Sequence, residues 1–183
     1  MSRFLVSKYQ DLTEYTPGEQ PRDKKYIKLN TNESPYPPSK GVLEAVNASQ
    51  AALLRLYPDP TCLNLKEKLA GLYGLKRENI FVSNSSDDVL NHAFTAFASD
   101  EKTACFADIT YGFYKVFAKL HGTKTAVFPL KSDFSIDPHD YMGIKDSLIV
   151  IANPNAPTGM ALSPDAIKEI CLKSPDCAVI VDE

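Results

Sequence analysis

The chain has 183 residues, 44% apolar and 23% charged, enough to bury one ordinary hydrophobic core. Its formal net charge of −3 gives no reason to expect nucleic acid or an anionic membrane as a partner. No apolar run approaches the ~20 residues of a membrane span, and Met1–Gln20 lacks an apolar signal core, so a cytoplasmic protein is expected.

Residues 1–38 read as an N-terminal arm, because Pro17, Pro21, Pro35, Pro37 and Pro38 exclude a long helix. One short strand is expected there, at Tyr26-Ile27-Lys28-Leu29. The domain proper is expected over 39–183. Val42, Leu43, Val46, Leu53 and Leu54 recur at helical spacing over 40–54. Tyr57-Pro58-Asp59-Pro60 makes a turn, and Leu63, Leu65, Leu69 and Leu72 mark an amphipathic helix over 61–73, stopped near Gly74. From there strands and helices alternate. A strand at Ile80-Phe81-Val82 leads into a helix through about Phe97. Strand 103–107 leads into a helix ending near Leu120, and strand 124–128 follows. A weak helical stretch near 137–145 precedes strand 148–152. Ser163 as N-cap and Pro164 at the first helical position open the next helix. Strand 178–181 comes last. This alternation predicts an α/β fold, a mostly parallel sheet with flanking helices.

Cys62, Cys105, Cys171 and Cys177 show no metal spacing and read as reduced structural thiols. His92, His121 and His139 do not cluster in sequence, and no metal is expected.

The chemistry gathers where strands end. Ser83-Asn84-Ser85-Ser86-Asp87-Asp88 joins a strand to a helix, where free amides and the helix dipole suit a phosphate; ordinary capping by Ser85 or Ser86 explains the same residues. Tyr111 sits in the next such loop, either laid against a flat ring or packed on Phe113 and Tyr114. Asn153-Pro154-Asn155-Ala156-Pro157-Thr158-Gly159 follows a buried strand, and its asparagines can donate to a ligand oxygen. Asp182 ends an apolar run and, where buried, needs a partner such as a protonated ring nitrogen. A phosphate, a flat ring, a ring oxygen and a cationic ring nitrogen together describe pyridoxal 5′-phosphate.

Six segments in this order carry a family resemblance: Leu29 to Tyr36, Tyr57-Pro58-Asp59, Asn84 to Asp87, Thr110 to Tyr114, Asn153 to Gly159, and Val181-Asp182-Glu183. Over about 26–183 the chain resembles the fold-type-I, pyridoxal-phosphate-dependent aminotransferases, most closely the histidinol-phosphate aminotransferases of histidine biosynthesis. The resemblance implies part of that family's large cofactor domain. It implies that Asp182 keeps the pyridine nitrogen protonated, that Tyr111 stacks on the ring, and that Ser85, Ser86 and Asp87 bind the phosphate. Tyr57 is similar to a tyrosine that reaches the phosphate of the neighbouring subunit in a homodimer. Asn32, Glu33 and Tyr36 fall in the segment that closes over the amino-acid-type substrate. A threonine-phosphate decarboxylase or another pyridoxal-phosphate-dependent aminotransferase of the same group, and a non-catalytic cofactor-binding or oligomerisation module, are the alternatives.

Three departures from the family pattern stand out. Ser85 replaces a usual glycine. Ala156 replaces the asparagine that bonds the ring hydroxyl, leaving Asn155 as the candidate substitute. The Schiff-base lysine, which follows the aspartate by about 30 residues in the family, has no counterpart among the 183. The chain is therefore expected to be an N-terminal fragment, inactive alone, in which the strand at 80–83 lacks its usual neighbours and the sheet rearranges or pairs with another chain.

Overall fold

A computed structural model describes residues 6–9, 23, 27 and 29–183. It divides into two compact units, one built on Phe81–Glu183 and one within Thr13–Ile80. The strand expected at 26–29 falls largely outside the described residues.

The described residues of the Thr13–Ile80 unit include the α-helices α1 (Lys40–Ala45), α2 (Ala48–Leu53) and α3 (Leu63–Tyr73). One helix was expected over 40–54; two form. Asn47 is the reason, because its side-chain oxygen accepts from the amides of Ser49 at 3.0 Å and Gln50 at 3.3 Å and so starts a new helix. Asp59 braces the start of α3, accepting from Thr61 N at 2.9 Å and Leu63 N at 2.8 Å. Gly74 ends α3 at φ 65°, the left-handed conformation glycine takes freely.

The Phe81–Glu183 unit carries α4 (Ser85–Phe97), β1 (Thr103–Ala107), α5 (Phe113–His121), β2 (Thr125–Phe128), β3 (Ser147–Ala152), α6 (Pro164–Lys173) and β4 (Ala178–Asp182). The four strands form one parallel sheet in the order β2-β1-β3-β4. The expected strand at Ile80-Phe81-Val82 is absent. Ile80 has extended backbone angles, yet the segment joins no ladder, and Phe81 lies exposed with its ring edge-on to His92 at 5.7 Å. An apolar run without a neighbouring strand has no partner for its amides and carbonyls.

The central strands are buried on both faces, so they read as continuous apolar runs. Successive residues nevertheless face opposite ways. Ala104 and Phe106 of β1, with Leu148 and Val150 of β3, pack against Leu90 and Phe94 of α4 and Tyr114, Phe117 and Ala118 of α5. Cys105 and Ala107, with Ile149 and Ile151, pack on the other face with Tyr141 and Ile170 of α6. On β4, Ala178 and Ile180 share the α4/α5 face, so Asp182, two residues on, reaches the same side.

Candidate functional site

The chain runs from β1 to β2 on one side, then returns to β3 on the other. Strand order thus reverses between β1 and β3. The carboxyl ends of the strands around such a reversal form the binding crevice of open parallel sheets. Four of the sequence-predicted segments end there: the start of α4, the loop after β1, the loop after β3, and the tip of β4.

Contacts join these segments into one line. The Tyr114 hydroxyl donates to Oδ2 of Asp182 at 2.6 Å. The rings of Tyr114 and Tyr111 meet edge-on at 5.6 Å. The Tyr111 hydroxyl donates to Oδ1 of Asp87, in the first turn of α4, at 2.9 Å. The line therefore runs from the tip of β4, across the start of α5, to the amino end of α4. Asp182 is half-buried, and its Oδ1 takes no hydrogen bond from the described residues. Burial, and then the adjacent Asp182 carboxylate, hold the Tyr114 hydroxyl far above the ordinary tyrosine range, so it stays a donor.

Tyr111 does pack locally, its ring stacked on Phe113 at 5.7 Å and 21°. At the start of α4 neither Ser85 nor Ser86 caps the helix, contrary to the capping alternative. Asp88 reaches back instead, accepting from the Ser83 hydroxyl and from Asn84 N at 3.3 Å. These bonds, the Ser83 hydroxyl first, pull the Asp88 carboxyl below its usual value. With both aspartates of the first turn turned to other donors, no side chain caps the leading amides of α4. A cavity of about 420 Å³ opens beside them, lined by Asn84, Ser85, Asp87, Asp88, Asn91, Phe117 and Leu120. Ser85 itself sits at φ 75°, a region that costs an ordinary residue roughly 1–2 kcal/mol. The glycine expected from the family resemblance at this position is the residue that avoids that cost.

Asn155 departs from its expected role as a ligand donor. It is fully buried, and its amide is spent inside the protein. Nδ2 donates to Ile109 O at 2.9 Å and to Thr158 Oγ1 at 3.1 Å, while Oδ1 accepts from Thr110 Oγ1 at 2.7 Å. No donor is left for a ligand oxygen. Asn155 instead ties the loop after β3 to the loop after β1. Asn153 closes its own loop, accepting from Leu162 N at 2.7 Å. Tyr57, Asn32, Glu33 and Tyr36 lie in the Thr13–Ile80 unit, and all four are exposed.

Sequence reasoning missed Tyr114, treating it only as a packing neighbour of Tyr111. The signal was present, because a half-buried carboxylate needs a donor.

The chain matches the model of the aminotransferase class I and II family over residues 24–183. It is 51% identical over its whole length to a histidinol-phosphate aminotransferase of Marinomonas sp. (strain MWYL1) and 49% identical to one of Brachyspira hyodysenteriae. It covers 52% and 51% of those proteins, so the chain spans about half the length of the curated relatives it matches. The crystal structure of histidinol-phosphate aminotransferase from Sinorhizobium meliloti in complex with pyridoxal-5′-phosphate superposes with a TM-score of 0.76 at 23% identity. That match covers 84% of this chain and 42% of the solved one, and it establishes a shared fold.

Proposed function

Because the chain belongs to the class I and II aminotransferase family, we propose that it is part of a pyridoxal-phosphate-dependent enzyme that moves an amino group between histidinol phosphate and 2-oxoglutarate. The observation that carries this reading is the roughly 50% identity, across all 183 residues, to relatives that bear that name. We place the enzyme in the cytoplasm, as a homodimer. No helix among the described residues is long and apolar enough to cross a membrane.

The residues of the Phe81–Glu183 unit suit the cofactor on their own chemistry. Asp182 presents a half-buried carboxylate with one oxygen unclaimed, a fitting acceptor for a protonated ring nitrogen. The uncapped start of α4, at Ser85, Ser86 and Asp87, suits the phosphate through its leading amides. Tyr111, anchored by Asp87, offers a fixed aromatic wall. Tyr57 reaches the phosphate from the partner subunit in this reading, and Asn32, Glu33 and Tyr36 face the substrate. When bound, pyridoxal phosphate supplies an electron sink for the carbanion formed at the amino-bearing carbon. The chain's share of that chemistry is electrostatic and positional. Asp182 keeps the proton on the ring nitrogen, and the loops tied by Asn155 keep Tyr111 and the end of β3 in register.

A chimera tests the reading. Residues 1–183 are joined to the portion of the Marinomonas relative beyond the matched region. The chimera is expected to form glutamate from histidinol phosphate and 2-oxoglutarate, with turnover lost in Asp182→Asn. A folded, cofactor-loaded chimera that ignores histidinol phosphate and accepts another amino donor would overturn the substrate assignment.

A further inference from the structure

We infer that Tyr114 is a positioning residue for Asp182: its hydroxyl occupies Oδ2 and so reserves Oδ1 for a cationic ligand atom. The inference rests on the reading of Asp182 as the acceptor for the ring nitrogen, and it adds how that acceptor is kept in place and charged.

Four observations carry it. The Tyr114 hydroxyl, 2.6 Å from Oδ2, is the one side-chain donor to the Asp182 carboxylate among the described residues. Tyr114 is fully buried, its ring held 5.9 Å from Phe106 and 5.6 Å from Tyr111, so the donor has little freedom to follow a rotating carboxylate. Asp182 is the last residue of β4, its backbone fixed opposite Ala152 in the ladder, so the direction of its carboxylate is left to side-chain contacts. Finally, the donor is neutral. A lysine or arginine in its place would orient the carboxylate as well, but would cancel the charge that attracts the ligand. A buried phenol orients without neutralising.

The test titrates the chain with pyridoxamine 5′-phosphate and, separately, with its 1-deaza analogue, in which a C–H replaces the ring nitrogen. Quenching of tyrosine emission reports binding. The wild-type chain is expected to prefer the nitrogen-bearing probe. Tyr114→Phe is expected to lose about tenfold of that preference, the loss associated with a hydrogen bond to a charged group, while binding of the deaza probe stays the same. A merely structural role would weaken both probes alike. In an Asp182→Asn background the same substitution is expected to change nothing. A second variant keeps the hydroxyl: 3-fluorotyrosine at position 114, a stronger donor of nearly the same size, is expected to hold the preference at or above wild type.

The outcomes separate the two ideas. A wild-type chain that binds both probes equally, or neither, overturns the ring-nitrogen role of Asp182 and this inference with it. A wild-type preference that survives Tyr114→Phe overturns the positioning role of Tyr114 alone, as does a 3-fluorotyrosine chain that loses the preference.

Discussion

The hydroxyl of Thr110 donates to Oδ1 of Asn155 across 2.7 Å, linking two loops that are 45 residues apart in sequence. Each loop leaves the carboxyl end of a central strand, so this bond and its partners hold the two sides of the crevice together. Replacing Asn155 by Ala removes a partner from the carbonyl of Ile109 and from the hydroxyls of Thr110 and Thr158, in a part-buried setting. Unsatisfied buried groups cost about 1–3 kcal/mol each, partly recovered by water, so Asn155→Ala is expected to destabilise the chain by about 3 kcal/mol. Thr110→Val removes one donor and should cost about 1 kcal/mol. Urea unfolding measures both; equal, small losses would show that the staple contributes little.

Ser85 gives a prediction of opposite sign. Its φ of 75° strains any residue with a Cβ, and glycine relieves that strain at some cost in unfolded-state entropy. The difference favours Ser85→Gly by about 0.5 kcal/mol. Ser85→Ala should be neutral, since alanine carries the same Cβ, and Ser85→Val should lose more than about 1 kcal/mol through its branched side chain. A destabilising glycine in thermal melts would mean that the serine is not held in the left-handed region.

Stability toward acid should depend on Asp137. The amide of His139 first, then the His139 ring and the Lys131 ammonium, lower its carboxyl to about 2. A carboxyl depressed in the folded state stabilises above its unfolded value, near 3.8, and loses that contribution as the pH falls toward about 2. The chain should therefore weaken through this window more steeply than Asp137→Asn. Denaturation midpoints of the two proteins should differ at neutral pH and converge only as the pH falls to about 2. Because the side chain is solvent-facing, the difference will be small and should shrink further in high salt. Parallel curves across the window would dismiss the contribution.

How far the residues announced this architecture varies with the range of the interactions involved. β1 and β3 were legible because a strand buried on both faces has no polar interruption, and α6 because Ser163 and Pro164 mark its start chemically. The break at Asn47 was legible in principle, since asparagine is a strong cap, but the apolar spacing across 40–54 concealed it. Ile80-Phe81-Val82 has the composition of a strand and fails to become one, because a strand is defined by its neighbour and composition cannot supply one. The same holds at the site. Asp182 and Tyr111 stood out by their places after apolar runs. The inward commitment of Asn155 depends on Thr110 and Ile109, partners that only the folded chain brings near.

Tyr141 closes the set with a buried group that lacks a partner. Its ring lies in the core cluster on the α6 side, edge-on to Phe128 at 5.0 Å, and the residue is buried. Its hydroxyl finds no hydrogen-bond partner among the described residues. Burial pushes that hydroxyl well above the ordinary tyrosine range, so it stays neutral. A buried, unpaired hydroxyl costs about 1–3 kcal/mol relative to water, and removing it leaves a void of about one oxygen atom. Relief should exceed the small cavity penalty, so Tyr141→Phe is expected to stabilise by about 1 kcal/mol and raise the melting temperature. Tyr141→Ala should instead lose roughly 3–5 kcal/mol, since the ring fills the core. A loss of stability in the phenylalanine variant would show that the hydroxyl has a partner in solution, an ordered water being the natural one in so enclosed a place.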